Sequence, residues 1–106
     1  MGDEEWMSGM NNKAGAVRLS GFLRCLSEDD VELVRQHLPD HIRLTRAEPG
    51  CISFEVSQTD DPLVWRVKEL FADRPAFDFH QQRTRASAWF TATSAIPRDY
   101  EITTLP

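Results

Sequence analysis

Residues 63–80 constrain the fold of this 106-residue chain more than any other stretch. Trp65, Val67, Glu69 and Phe71 fall on one side of an alternating run, and Arg66, Lys68 and Leu70 on the other. That period of two is the pattern of a half-buried strand. The strand ends at Phe71 and a helix start follows at once. Asp73 is placed to accept backbone N–H bonds as an N-cap, and Pro75 falls in the first turn, where a missing N–H costs little. Two ionisable groups flank this apolar junction. Glu69 shares the strand face of Trp65, Val67 and Phe71, and His80 follows Phe77 by three residues, on the same helical face.

The rest of the chain falls into order around this junction. Residues 16–26 alternate, with Val17, Leu19, Leu23 and Cys25 one way and Arg18, Ser20, Phe22 and Arg24 the other. Ser27 then reads as an N-cap, Glu28, Asp29 and Asp30 suit the positive first turn, and Asp30 takes the capping-box position. Val31, Val34, Leu38, Ile42 and Thr45 continue a helical stripe, which Pro39 is expected to kink or to divide into two abutting helices. Glu48-Pro49-Gly50 ends the helix. Ile52, Phe54 and Val56 alternate with Ser53, Glu55 and Ser57 as a second strand, and Thr59–Pro62 forms a turn. Across the resulting hairpin, Phe54 is expected to oppose Val67 and Glu55 to oppose Arg66. The capped helix from Arg74 is expected to break near Thr84 and resume through Ala86 to Thr93, before a last strand from Tyr100 to Leu105. The order β-α-β-β-α-β predicts an α+β protein with an antiparallel sheet of the ferredoxin-like, split βαβ type. Residues 1–15 are expected to form a flexible arm, and residues 16–106 one domain.

Composition narrows the function classes. A net charge of −5 without a Lys/Arg cluster disfavours phosphate-backbone binding, so no nucleic-acid partner is expected. No apolar run reaches the roughly 20 residues of a membrane helix, and the acidic opening residues lack a secretory pattern. Cys25 and Cys51 have neither metal-ligand spacing nor disulfide density, which suits reduced thiols in a cytoplasm. His37 and His41 lie four apart, but Pro39 intervenes and no acidic third ligand is evident, so no metal is expected.

Two segments together resemble the antibiotic biosynthesis monooxygenase domain, the group that includes small quinol monooxygenases. One is Glu48-Pro49-Gly50-Cys51-Ile52-Ser53-Phe54-Glu55-Val56, similar to that family's helix-to-strand junction. The other is the run of Glu69, Phe71, Asp73, Ala76, Phe77 and His80. The resemblance spans roughly residues 16–105. It implies a dimeric α/β barrel in which two sheets pack face to face, and a cavity in each subunit between sheet and helices. It also implies oxidation of a small aromatic or quinol substrate by O₂ without metal or other cofactor. The sheet face carrying Arg18, Ser20, Phe22, Arg24, Ser53, Glu55, Arg66 and Lys68 is mixed in sign, and is either solvated or paired with a second copy of itself.

The chain departs from the family pattern in one place that bears on chemistry. Many relatives carry a second histidine five residues after the first, and here Arg85 stands there. Arginine cannot serve as a base at neutral pH but can hold an oxyanion or phenolate. Features of haem-degrading relatives (an Asn on the first strand, a Trp at Phe71 and a His in the helix after the break) are absent, so haem degradation is not expected. The candidate roles are therefore His80 as base, Glu69 as its orienting partner, Arg85 for an anion, and Trp65, Phe54 and Phe71 as aromatic walls. The alternative reading keeps Glu69 and His80 as structural partners in a non-catalytic dimeric domain that binds a small hydrophobic ligand or acts as a scaffold.

Overall fold

The computed structural model describes residues 14–106. The arm expected over residues 1–15 therefore lies outside the described residues except for Ala14 and Gly15, which turn into the first strand. The elements are β1 (Val17–Arg24), α1 (Glu28–Arg46), β2 (Cys51–Gln58), β3 (Val64–Phe71), α2 (Arg74–Arg85), α3 (Ala88–Thr93) and β4 (Arg98–Thr104). The strands form one antiparallel sheet in the order β2-β3-β1-β4. This is the α+β, βαββαβ arrangement that the sequence pattern predicts.

Local chemistry sets the element ends. The Ser27 hydroxyl accepts the Asp30 N–H at 3.3 Å, and the Asp30 carboxylate reaches back to the Leu26 N–H at 2.8 Å, which satisfies one open donor of the first turn and one just before the helix. The Asp73 carboxylate accepts the Ala76 N–H at 2.9 Å at the start of α2. Ser87 caps α3 through the Phe90 N–H, so the break after α2 falls at Ala86–Ser87.

Three sequence-based expectations are corrected. First, of the two outcomes expected at Pro39, a kink or a division, the division is overturned, since α1 runs from Glu28 to Arg46 as one helix with Pro39 inside it. Its buried stripe is Val31, Val34, Leu38, His41 and Thr45, because a step of three from Leu38 followed by one of four reaches His41 and Thr45, and Ile42 is left half-buried at the edge. Second, a bulge between Cys51 and Ser53 leaves Ile52 exposed, and Cys51 packs against the core. Third, the β2–β3 register differs by two residues from the expected one. Phe54 opposes Glu69, Glu55 opposes Lys68, and Val56 opposes Val67. An even shift keeps every side chain on its expected face, so the apolar pattern is satisfied in either register.

The helices cover one face of the sheet, and the core lies between. Val17, Leu19 and Leu23 of β1, Trp65, Val67 and Phe71 of β3, Val31, Val34 and Leu38 of α1, and Phe77 of α2 are buried there. Gly50 fixes how the end of α1 meets α2. A Cβ at Gly50 would overlap the Cβ of Ala76, and the Gly50 carbonyl accepts the Ala72 N–H at 2.8 Å. The segment after α1 is thereby drawn against the first turn of α2, which brings Glu48 over His80 and Arg83. On the opposite sheet face, the Phe22 ring sits between the guanidinium groups of Arg24 and Arg66, at 5.0 and 5.4 Å.

Candidate active site

Four titratable side chains converge in the interior between sheet and helices: His41 from α1, Glu48 from the segment after it, Glu69 from β3 and His80 from α2. Glu48 is the hub. Its carboxylate accepts from Arg83 Nε and lies 3.1 Å from His80 Nδ1, while Arg83 Nη2 donates to Thr45 Oγ1 at 2.9 Å. His80 and Arg83 are three apart on α2, so one helical face presents both to the same carboxylate. A carboxylate can only accept, so Nδ1 carries the proton and Nε2 keeps its lone pair.

That lone pair faces the remaining polar groups. His80 Nε2 is 3.3 Å from Thr84 Oγ1 and 3.7 Å from Glu69 Oε1. The ring is held between Phe71, at 4.8 Å between centroids, and Phe54, at 5.8 Å. Burial lowers the His80 pKa below the ordinary imidazole range, and the Arg83 charge adds to this, while the bond to Glu48 opposes it. The residue is accordingly a neutral base at physiological pH.

Glu69 has the opposite character. Its Oε1 is buried and has no hydrogen-bond partner among the described residues. Burial first, and the Glu48 charge second, push its pKa up to about 8. A carboxyl group in such surroundings holds its proton, because an unpaired buried charge is far more costly than a neutral acid. His41 is stacked on Trp89 at 4.9 Å with the rings nearly parallel, and meets Phe54 edge-on at 5.3 Å. Burial, with the His80, Arg83 and Arg98 charges, lowers its pKa to about 3, so it too is neutral.

A cavity of about 240 Å³ opens beside this group, bordered by Glu69, His80, Thr84, Arg85, Trp89 and Tyr100 among others. A second cavity of about 210 Å³ lies between α1 and α3, and His41 and Trp89 border both. Burial raises the Tyr100 pKa to about 12, so its phenol also keeps its proton.

The structure brings Glu69, His80 and Arg85 to one cavity, the last from its exposed side at the end of α2. Phe54 and Phe71 sit behind the site, against the His80 ring, and not on the cavity lining. Trp65 does not border the cavity either. It lies four residues from Glu69 along β3, about 13 Å away at strand rise, buried in the core opposite Leu23. The indole N–H has no acceptor among the described residues.

Sequence reasoning missed Glu48, Arg83 and His41. Glu48 lies beyond the end of α1, outside any periodic element. The i, i+3 pair His80 and Arg83 was the signal that an interior anion faces α2.

The fold is thus a small α+β one, with helices on one face of an antiparallel sheet and a histidine–glutamate pair beside a half-open cavity. The sequence profile described as antibiotic biosynthesis monooxygenase matches residues 17–92. The chain belongs to that family. Solved structures repeat the fold. A conserved protein from Methanosarcina mazei Go1 shares 19% identity at a TM-score of 0.75, with 92% of this chain and 99% of that chain covered. Rv0793 from Mycobacterium tuberculosis shares 25% identity at a TM-score of 0.63, covering 86% and 93%. SnoaB from Streptomyces nogalater, described as a cofactor-independent oxygenase and solved as a mutant, shares 14% identity at a TM-score of 0.70, covering 86% and 93%. No curated protein matches the chain. Among the described residues, no helix is long and apolar enough to cross a membrane.

Proposed function

We propose that the protein is a cofactor-independent monooxygenase that oxidises a small aromatic or quinol substrate with O₂. The observation that carries this reading is the polarised His80. One ring nitrogen is committed to Glu48, and the other is left as a buried base beside a cavity. His80 Nε2 removes a proton from the substrate, and Arg85 steadies the resulting anion from the cavity's exposed side. The carbanion bonds to O₂. Protonation gives a hydroperoxide, and loss of water, which takes the hydrogen still on that carbon, leaves a carbonyl where a ring C–H stood, so the substrate itself supplies the electrons. Membership of the monooxygenase family and the shared fold with SnoaB support the same chemistry.

The uncovered sheet face supports a homodimer. Half-buried Phe22, Val64 and Leu70 lie there among charges of both signs, which suits isologous pairing with a second copy. Cys25 and Cys51 are both free, in keeping with a reducing, cytoplasmic setting.

The test is oxygen uptake with a panel of quinols and polyphenols, comparing wild type with His80→Ala and Arg85→Ala. Uptake by wild type, loss in His80→Ala and a raised KM in Arg85→Ala are expected. Equal uptake by wild type and His80→Ala removes His80 from the mechanism. Sedimentation at micromolar concentration checks the dimer, and a monomer there contradicts face-to-face pairing.

A further inference from the structure

The proposed oxidation uses His80 as a base and leaves Glu69 without a chemical task. Yet the Glu69 carboxyl borders the same cavity, and its Oε1 lies 3.7 Å from His80 Nε2. No other described side chain satisfies that oxygen. Arg83, the cation that reaches into the cluster, is taken by Glu48 and Thr45. Glu69 instead has the Glu48 carboxylate as its charged neighbour, with Leu19 and Phe54 opposite it in the strand register. A buried carboxyl with a like charge nearby and no donor of its own is a proton donor.

We propose that this pair makes the protein a keto–enol isomerase for aromatic compounds with an enolisable carbonyl, an activity that needs no oxygen. It rests on the reading of His80 as the base, but not on the reaction with O₂. The spacing fits the substrate class. In an enolisable carbonyl, the oxygen and the α-carbon are about 2.4 Å apart by standard bond lengths, a separation that one small fragment can share between two groups 3.7 Å apart.

The step balances without an oxidant. The α C–H bond breaks and its proton passes to His80 Nε2. The electron pair forms the C=C bond, the carbonyl π pair moves to oxygen, and the Glu69 O–H proton passes to that oxygen. The enol is returned to ketone by the same transfers in reverse, with the proton delivered to either face or to a conjugated carbon, or it is released and the His80 Nε2 proton passes back to the Glu69 carboxylate 3.7 Å away, which restores both groups. Glu48 stabilises the imidazolium that forms in between, while Arg83 and Thr45 hold Glu48 in place. Trp89 on the lining, backed by His41, offers a flat surface to an aromatic ring.

The experiment is hydrogen–deuterium exchange at the α-carbon of 2-tetralone, followed by proton NMR in deoxygenated D₂O. It uses the full chain as wild type, Glu69→Gln and His80→Ala, each checked for fold by circular dichroism. Wild type is expected to exchange the probe roughly 10²-fold or more above the buffer rate, the scale of positioned acid–base catalysis. Glu69→Gln, which retains the shape but has no acid proton, is expected to be about tenfold or more slower than wild type, and His80→Ala to fall to the buffer rate. Wild-type exchange at the buffer rate overturns the proposal and does not depend on any variant folding. Folded Glu69→Gln exchanging as fast as wild type overturns it as well. Oxygen uptake with quinols separates the two readings. Exchange without uptake sustains the isomerase and removes the oxygenase, while uptake without exchange does the reverse.

Discussion

Glu69→Gln should abolish the pH dependence of stability above neutrality. In the folded protein, burial and the Glu48 charge hold the Glu69 carboxyl protonated up to about pH 8, whereas its ordinary value is 4.5. A raised pKa stabilises the fold fully below pH 4.5, and this contribution is lost as pH rises through 8. Over that window the unfolded chain has released a proton that the native state retains. His41 acts in the other direction. Its folded pKa near 3, against an ordinary 6.5, makes the fold lose stability as pH falls from 6.5 towards 3. Each group has a slope of about 1.4 kcal/mol per pH unit. The slopes cancel between pH 4.5 and 6.5, and only Glu69 acts from 6.5 to 8. These two groups alone give a plateau from pH 4.5 to 6.5, a fall in stability below it, and a loss of about 2 kcal/mol between pH 6.5 and 8. His80, whose pKa is also lowered, tilts that plateau so that stability declines as pH falls below 6.5. Glutamine mimics the neutral acid, so the Glu69→Gln protein should stay level from pH 6.5 to 8. By pH 7.5 it should be the more stable protein by as much as about 4 kcal/mol. Urea unfolding at half-unit pH steps, read by circular dichroism and tryptophan fluorescence, measures both curves. Parallel curves from pH 5 to 8 would show that the carboxyl ionises in the folded state near its ordinary value, and the argument for a buried acid would collapse.

Removing Glu48 should be costly in a different way. Glu48→Ala leaves Arg83 and His80 facing each other without their anion, a loss of about 3–5 kcal/mol in urea unfolding, and a loss within about 0.5 kcal/mol would mean that the carboxylate is not a shared buried partner. Gly50→Ala forces its Cβ onto Ala76 and should destabilise by about 1–3 kcal/mol; the double variant with Ala76→Gly should recover part of this, and strict additivity would rule out the contact as the cause. Asp73→Ala removes the cap of α2 and should lower stability by about 0.5–2 kcal/mol, while Asp73→Asn should retain most of it, as thermal unfolding can show.

The strand-to-helix junction at Asp73 was legible because each of its signals is local: alternation up to Phe71, a capping carboxylate and a proline in the first turn. The inward direction of Glu69 and His80 followed from the same periodicities. The β2–β3 register was not legible, since an even shift satisfies the apolar pattern equally well and the bulge at Ile52 has no composition signal of its own. Trp65 shares a face with Glu69, and face alone could not tell that four residues of strand put it outside the cavity. Glu48 was visible in the Glu-Pro-Gly junction, but its role depends on Gly50 drawing that segment against α2, a tertiary contact. His41 illustrates a further limit. An imidazole on a helix stripe becomes core only when an aromatic such as Trp89 stacks on it, and Trp89 lies 48 positions further along the chain.

The stack of His41 on Trp89 has a geometric corollary. Because these two rings border both cavities, they act as a party wall, and Trp89 has no purely local neighbourhood. Shortening Trp89 does not widen one chamber gradually. It removes the barrier between two, so the largest molecule the interior can admit changes in a single step. A series such as Trp89→Phe, Trp89→Leu and Trp89→Ala should then show a threshold in ligand size, not a smooth trend.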